Sequence, residues 1–407
     1  MDDDAVPSHV GRRIREIRTW RDMTLRVTAE LSGISPAYLS LIESGVRTVQ
    51  KRSTLEAIAR ALRVSPVELG VLPTQKVVDS EVQKAIGAVL DLESVLTEVA
   101  LGEQTVRPRP WQAVATDVHH LHAVLRPRAD VAGQMQLLPR LIRELNALVG
   151  SDSRHKRQAL EALMLVLYAA AFCTSCLGEQ GTAGLVTWHM REAAKELDQP
   201  PWLGLAALAR AQTLGAGARK RARELSVATA DQMQQHLSDE RCRQLYGMLH
   251  LNSALASAAL READRAADHL QEAREIAHSA PDPIGSGWAN LSFCRTNVQF
   301  WEVALTLELG DPGKVVELSN NIAPERVESW SRRGAYFADL GRALAMSKST
   351  REQAIVALLR AEELAPVRTR THTLVRETVV DLMRRVRRDD VAGRELRGMA
   401  YRMGIAV

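Results

Sequence analysis

The chain has 407 residues, of which 46% are apolar and 25% are charged, a composition typical of globular proteins. Four cysteines are too few for a disulfide framework, and the net charge of +4 is too small to identify a partner. Positive charge is nevertheless concentrated in residues 5–74, which hold eleven Lys or Arg and six Asp or Glu. Abundant Ala, Leu and Arg, with only 4% aromatic residues, predict an all-α fold.

The first residues, MDDDAVPSHVG, are acidic and lack the apolar run of a signal peptide. The longest uncharged run, residues 162–178, is shorter than the roughly 18 apolar residues of a membrane span. This run is therefore predicted to be a buried helix. We expect a cytoplasmic protein without a membrane partner.

Five short helices are predicted within residues 1–74. Thr24 is placed to cap the second helix, and Thr54 is placed to cap the fourth. Between the second and third helices, Gly33 can adopt the positive φ of a sharp turn. Ser35 can then cap the third helix, which Pro36 starts with a preset φ. This arrangement predicts a helix-turn-helix, in which the second helix of the motif is presented to a DNA groove.

The segments HVGRRIREIR, SGISPAYLSLIESGVR and STLEAIARALRVSPVEL resemble the lambda-repressor-like, Xre-type helix-turn-helix family over residues 9–70. The resemblance implies a homodimer on double-stranded operator DNA, with each third helix in a major groove. The residues that it implies as base contacts are Ser35, Pro36, Ala37, Tyr38, Ser40 and Leu41. Those that it implies as phosphate contacts are Arg47, Lys51 and Arg52. Leu25 stands where the family usually has a phosphate-contacting Gln, and Arg26 is its substitute candidate.

These residues also have purely structural interpretations. Ser35 and Pro36 suit a helix start whether or not they touch bases, and Tyr38 suits packing against the domain. Arg47 and its basic neighbours suit a solvated loop, although the motif favours phosphate contacts. Glu43 is predicted to pair with an arginine of the first helix.

Residues 75–153 are predicted to form a helical linker. Within it, residues 80–100 carry a nearly heptad apolar stripe that suits a dimer-packing helix or ordinary core packing equally well. A break is predicted at residues 105–110, and two more helices follow, separated by residues 126–128.

Residues 154–407 contain a repeating pattern. Ala-Pro pairs follow helical segments at residues 280–281, 323–324 and 365–366, at intervals of 43 and 42 residues. The pattern resembles a degenerate tetratricopeptide (TPR) repeat, stretched beyond the usual length of about 34 residues. The resemblance implies a TPR-like α-solenoid with a concave groove and C-terminal capping helices.

The segment GWANLSFCRTNVQFW, residues 287–301, is rich in aromatic and amide side chains. Asn290 and Asn297 are seven residues apart and are predicted to share one face of a helix that starts near residue 287. The candidates for binding an effector are Asn252, Asn290, Arg295, Asn297 and Gln299, and a solvated polar face is the equal alternative. The order of the two domains is similar to that of the peptide-pheromone receptors of Gram-positive bacteria, which implies a peptide ligand held by Asn side chains.

Other motifs predict no chemistry. His119, His120 and His122 do not share a helix face, so buried or solvated side chains are favoured over a metal site. Cys173 and Cys176 have CxxC spacing but suit a buried helix better than a redox centre. No phosphate-binding loop and no catalytic motif is present. We therefore expect neither an enzyme nor a cofactor.

Together these features predict a bacterial, homodimeric transcriptional regulator. Its DNA binding would respond to a peptide, a small molecule or a protein partner in the groove. The alternative is a protein-interaction scaffold whose first domain lacks sequence-specific DNA binding.

Overall fold

The computed structural model describes residues 9–70, 79–103, 106–151, 154–279, 285–386 and 391–405. The described residues form helices and connecting turns, with no strand among them. The helices are α1 His9–Trp20, α2 Leu25–Leu31, α3 Pro36–Glu43, α4 Arg52–Ala61, α5 Pro66–Gly70, α6 Ser80–Ala100, α7 Trp111–His120, α8 Val131–Gly150, α9 Lys156–Leu177, α10 Gln180–Leu197, α11 Pro200–Thr213, α12 Arg219–Gln234, α13 Glu240–Ala259, α14 Ala263–Ser279, α15 Arg295–Leu309, α16 Pro312–Ser319, α17 Trp330–Leu344, α18 Arg351–Leu364, α19 Pro366–Thr371, α20 Thr373–Arg385 and α21 Val391–Arg402. The prediction of an all-α fold that begins with a helix-turn-helix is confirmed.

Helices α1 to α5 surround a core of their own, and the local signals in the sequence position them. Thr24 and Ser35 accept hydrogen bonds from backbone amides in the first turns of α2 and α3. Gly33 has a φ of +63°, so the turn between the two helices needs a residue without a Cβ penalty. The predicted cap at Thr54 is wrong, because α4 begins earlier, at Arg52, and Thr54 is buried inside its first turn.

A buried ion pair connects the first and third helices. Arg18 donates from Nε and Nη2 to the two carboxylate oxygens of Glu43 at 2.7 and 2.8 Å. Its Nη1 also donates to the Met23 carbonyl at 2.8 Å, which ties down the turn before α2. The predicted pairing of Glu43 with an arginine of α1 is confirmed, and this carboxylate is structural.

Helix α6 occupies residues 80–100 as predicted, and its N-cap is Asp79. Its apolar stripe, which includes Val82, Leu92 and Leu96, is buried against the following helices of the same chain. Helices of the same chain therefore cover the stripe, which agrees with the core-packing alternative and not with the dimer-packing alternative.

From α8 to α18, most consecutive helices pack on their neighbours in chain order, with further contacts to the next helix but one. Ala266 and Ala273 of α14 are buried, as are Ala354 and Ala361 of α18. Small side chains at these positions allow close approach to the neighbouring helices. This succession of helices is consistent with a solenoid.

The long apolar helix predicted to be buried is α9. It is long and apolar enough to span a membrane, but 67% of its most apolar window is buried inside the protein. It packs against α8 and α10 in the largest core cluster. Core packing therefore explains its composition.

The predicted helix starting near residue 287 is wrong. Trp288–Asn290 is a single 3-10 turn, and α15 begins only at Arg295. Asn290 has a φ of +56°, outside the helical region. Asn290 and Asn297 therefore do not share a helix face.

The repeated Ala-Pro pairs have different local structures. Ala365 separates α18 from α19, whereas Pro324 opens a 3-10 turn some residues after α16 has ended. The pair at residues 280–281 lies outside the described residues.

Candidate functional site

Helix α3 presents an open surface to solvent. Four of its predicted base-contacting residues are exposed together with its N-cap, while Leu39 and Ile42 face the domain core. The exposed residues are Ser35, Pro36, Ala37, Ser40 and Leu41. Tyr38 is half-buried, and burial raises the pKa of its hydroxyl, an effect that the nearby Arg47 cation opposes. The helix therefore has the geometry of a groove-reading element, and its base contacts stay a prediction.

The four predicted phosphate-contacting residues divide into two pairs. Arg26 and Arg47 are exposed, whereas Lys51 and Arg52 are half-buried. The difference arises because Lys51 and Arg52 contact the end of α15. Only Arg26 and Arg47 of the four are therefore fully presented to a DNA backbone in this arrangement.

Three hydrogen bonds connect the loop of residues 45–51 to residues far along the chain. Arg384 of α20 donates to the Gly45 carbonyl, and Arg342 of α17 donates to the Gln50 carbonyl at 2.8 Å. Lys51 donates from Nζ to the Leu309 carbonyl at 3.3 Å, at the end of α15. The loop that the sequence predicts to contact phosphates is therefore bound by helices α15, α17 and α20.

The start of α4 is occupied by a carboxylate. Glu308 of α15 accepts from the Ser53 amide at 2.9 Å and from the Arg52 amide at 3.3 Å. Free amides and the helix dipole make a helix N-terminus attractive to anions, including phosphate. Glu308 is only 8% exposed, so in this arrangement its carboxylate, and not an external anion, accepts from these amides.

Two further contacts complete this surface. Glu56 of α4 pairs with Arg219 at the start of α12, with a shortest distance of 2.5 Å. Leu374 of α20 belongs to the core cluster of the first domain. Arg52 lies among these groups, where burial and, next, the Arg219 cation lower the pKa of its guanidinium. We call this set of contacts between residues 45–56 and helices α12, α15, α17 and α20 the docking surface.

The docking surface could not be found from the sequence. None of its side-chain contributors from the later helices belongs to a motif. These residues are Arg219, Glu308, Arg342, Leu374 and Arg384. Glu308 and Ser53 are 255 positions apart in the chain. Glu308 lies near the end of α15, and its local sequence does not indicate that it contacts the start of α4.

The predicted effector-binding residues lie apart and mostly make structural bonds. Asn297 is fully buried and donates to the Ser292 carbonyl at 2.8 Å, while its side-chain oxygen accepts from Arg332 at 2.9 Å. Asn290 contacts the ring and the carbonyl of His122.

The other three candidates differ in exposure. Asn252 donates to Ser226 Oγ at 2.9 Å inside the α12–α13 pair. Arg295 donates to the last carbonyls of α14, and Gln299 is half-buried. An effector role for all five residues stays a prediction. Asn297 differs from Asn252 in that its partner is a charged group, the guanidinium of Arg332.

The histidine and cysteine motifs form no metal site within the described part of the chain. Burial lowers the pKa of His122 to about 3, so its ring is neutral. Cys173 is buried, and burial raises the pKa of its thiol, so it is present as the unreactive thiol.

A family model described as a helix-turn-helix domain matches residues 9–72. The HTH-type transcriptional regulator RghRB of Bacillus subtilis (strain 168), named as uncharacterised, is 31% identical over 114 residues, which are 28% of this chain and 73% of the relative. The uncharacterised HTH-type transcriptional regulator y4wC of Sinorhizobium fredii is 36% identical over 63 residues, 16% of this chain and 43% of the relative. The HTH-type transcriptional repressor RghR of Bacillus subtilis is 39% identical over 54 residues, 13% of this chain and 40% of the relative. No solved structure shows significant similarity to the chain.

Proposed function

Since the chain belongs to the family of HTH-type transcriptional regulators, we propose that it binds specific operator sequences as a homodimer, under the control of an effector or partner bound by its helical repeats. DNA-binding transcription regulation is the function of the family. The control by the repeats rests on one observation, the Glu308 carboxylate on the first amides of α4. We expect a cytoplasmic protein without enzymatic activity or cofactor.

The mechanism is an equilibrium between a docked and an open form. In the docked form α3 is exposed, but Lys51 and the α4 amides are engaged by the repeats. Phosphate contacts fix the register of a DNA-binding domain, so losing them weakens binding to every sequence. A ligand that binds the open form more tightly shifts the equilibrium by its differential affinity.

Homodimerisation follows from the way helix-turn-helix domains read DNA. Two recognition helices reach half-sites about one helical turn apart, and the spacing between domains sets the operator. The repeats, which we interpret as degenerate TPR-like units, are the part of the chain able to hold both the partner subunit and an effector. Analytical ultracentrifugation of the full chain tests this part, and a monomer at all concentrations contradicts it.

The central experiment selects bound duplexes from a random DNA pool with the full chain and, in parallel, with the Glu308→Gln variant. We expect one enriched motif that survives competition with excess random duplex. The variant should enrich the same motif with higher recovery, because its α4 amides are released more easily. Enrichment of no motif by either protein would refute sequence-specific regulation.

The scaffold alternative is favoured by one feature of α2. Leu25 replaces the usual phosphate-contacting Gln, and it packs against the domain core instead. If neither protein selects a motif but the helical repeats capture a partner protein, the scaffold becomes the better description.

A further inference from the structure

Three arginines from distant parts of the chain lie near one another beside α9. Arg126 follows the π-helical turn Leu121–Leu125, Arg332 lies on α17 and Arg368 lies on α19. The backbone amide of Trp330 donates to the Pro127 carbonyl at 2.8 Å, which brings the start of α17 to the turn that carries Arg126. We call these three residues the arginine cluster.

Aromatic rings of α9 and α15 lie beside the guanidinium groups. The guanidinium carbons of Arg126 and Arg368 lie 5.9 and 5.7 Å from the centre of the same Phe172 ring. Arg126 also lies 5.1 Å from the centre of the Tyr168 ring. Arg332 lies 4.7 Å from the centre of the Trp301 ring. Cation–π contacts of this kind stabilise a cation only partly, because a ring carries no net charge.

The cluster lacks compensating negative charge. In the described part of the chain, no member forms an ion pair with a carboxylate, and the partners of Arg332 and Arg368 are neutral: Arg332 donates to Asn297 Oδ1 and Arg368 donates to Ser331 Oγ, each at 2.9 Å. Arg126 Nε and Nη1 are shielded from solvent without any hydrogen-bond partner, and its Nη2 has only the Ala289 carbonyl at 3.5 Å. The carboxylate of Asp339 acts on Arg332, but it is already paired with Arg342 at 2.7 Å.

Guanidinium groups without a carboxylate partner are costly inside a protein. Buried charges are normally paired, and an unpaired donor inside a protein loses the hydrogen bonds that water would give it. Burial lowers the pKa of Arg126, and burial together with Arg368 lowers the pKa of Arg332 to about 9. A bound anion removes the cost, since guanidinium groups present planar donor pairs to carboxylate and phosphate oxygens.

We propose that Arg126, Arg332 and Arg368 bind the oxyanion of a small effector, a carboxylate or a phosphate group, with Phe172, Tyr168 and Trp301 against its apolar part. The proposal deepens the proposed function by giving the effector a chemical class. Asn297, one of the candidates from the sequence, positions Arg332 through its side-chain oxygen.

The cluster is connected to the docking surface. The half-buried His372 lies near the cations of Arg342, Arg52 and Arg368; it caps α20 and accepts from the Val375 amide at 3.3 Å. An anion on Arg368 therefore changes the electrostatic potential at the place where Arg52 is packed. This provides a path from the effector to the first domain.

The test measures thermal unfolding of the full chain in inorganic phosphate and, separately, in acetate, each against chloride at equal ionic strength. We expect a saturable rise in Tm for the wild type, because a ligand that binds only the native state stabilises it. Phosphate giving the larger rise indicates a phosphorylated effector, and acetate giving it indicates a carboxylate. No rise with either anion overturns the proposal.

The variants separate binding from packing. Arg126→Gln should raise the Tm in chloride, since it removes an unpaired buried charge, and should weaken the apparent anion affinity at least tenfold. The matched control is Arg128→Gln, two residues away and exposed, which should keep the wild-type response. If Arg126→Gln does not fold, Arg368→Gln makes the same test.

A lower Tm for Arg126→Gln in every buffer, with the anion response kept, would assign the arginine to packing and overturn the proposal. None of these measurements involves DNA. Failure of the anion site and failure of the proposed DNA binding are therefore distinguishable.

Discussion

Removing the negative charge of Glu308 should increase the affinity of the chain for its operator. Glu308 accepts two backbone hydrogen bonds at the start of α4 and is 8% exposed, so solvent screens it little. A hydrogen bond to a charged group contributes about 1.5 to 3 kcal/mol. Because glutamine keeps one accepting oxygen, we estimate that Glu308→Gln weakens docking by about 1 to 2 kcal/mol, using that range as an upper bound.

This free energy converts directly into binding if the docked form predominates. The apparent Kd equals the intrinsic Kd divided by the fraction of open protein, so a shift of about 1 to 2 kcal/mol lowers it by about 5- to 30-fold. Fluorescence anisotropy with the selected duplex measures the change. Hydrogen exchange at the Ser53 amide measures the opening itself.

The matched control is Glu317→Gln on α16. Glu317 is an exposed carboxylate that pairs with Lys314 at the surface, away from the docking surface. It should leave both readouts unchanged. If Glu308→Gln has unchanged operator affinity and unchanged exchange at Ser53, the docked loop does not control DNA binding and our reasoning fails.

Three further perturbations test other parts of the structure. Arg47→Ala should weaken binding to all duplexes and reduce the salt slope by about 1, and an unchanged slope would remove this exposed residue from the phosphate contacts. Gly247→Ala should lower the free energy of unfolding in urea by about 1 to 3 kcal/mol, because the added Cβ would lie 2.0 Å from the Phe293 ring. Gly87 has open space around it, so Gly87→Ala should raise the free energy of unfolding by about 0.5 to 1 kcal/mol. Equal effects of the two glycine substitutions would contradict this packing. Burial lowers the pKa of His250 to about 4, so its neutral form stabilises the fold above the unfolded pKa near 6.5, and stability should fall by about 3 kcal/mol as the pH drops from 6.5 to about 4. A His250→Leu variant with the same pH profile as the wild type would refute the last prediction.

The first domain was predictable because its signals are local. A cap accepts from amides two or three positions along the chain, and Gly33 supplies a positive φ by itself. The Arg18–Glu43 pair spans only 25 positions within a recognised motif. Where local patterns were ambiguous they misled, as at Thr54, which suits a cap but lies inside α4.

The second part of the chain was predictable as helices, but the arrangement of its candidate binding residues was not. Seven-residue spacing suggested that Asn290 and Asn297 face one way, yet a 3-10 turn and a positive φ separate them. Helical spacing applies only within one continuous helix. No local sequence pattern indicated that α15 begins as late as Arg295. The polar pattern of this segment therefore singled out residues 287–301 but did not predict which side chains face one another.

The sequence by itself determined the helical character of the chain, the caps at Thr24 and Ser35, the turn of the helix-turn-helix and the exposed face of α3, because these depend on neighbours within a few residues. Only the tertiary structure decided which cations remain open to a DNA backbone. It placed Glu308 on the amides of α4 from 255 positions away, and it brought Arg126 and Arg368 to the Phe172 ring of α9 and Arg332 to the Trp301 ring of α15. A charge is free, paired or buried according to what packs against it, and that depends on contacts between helices distant in the chain.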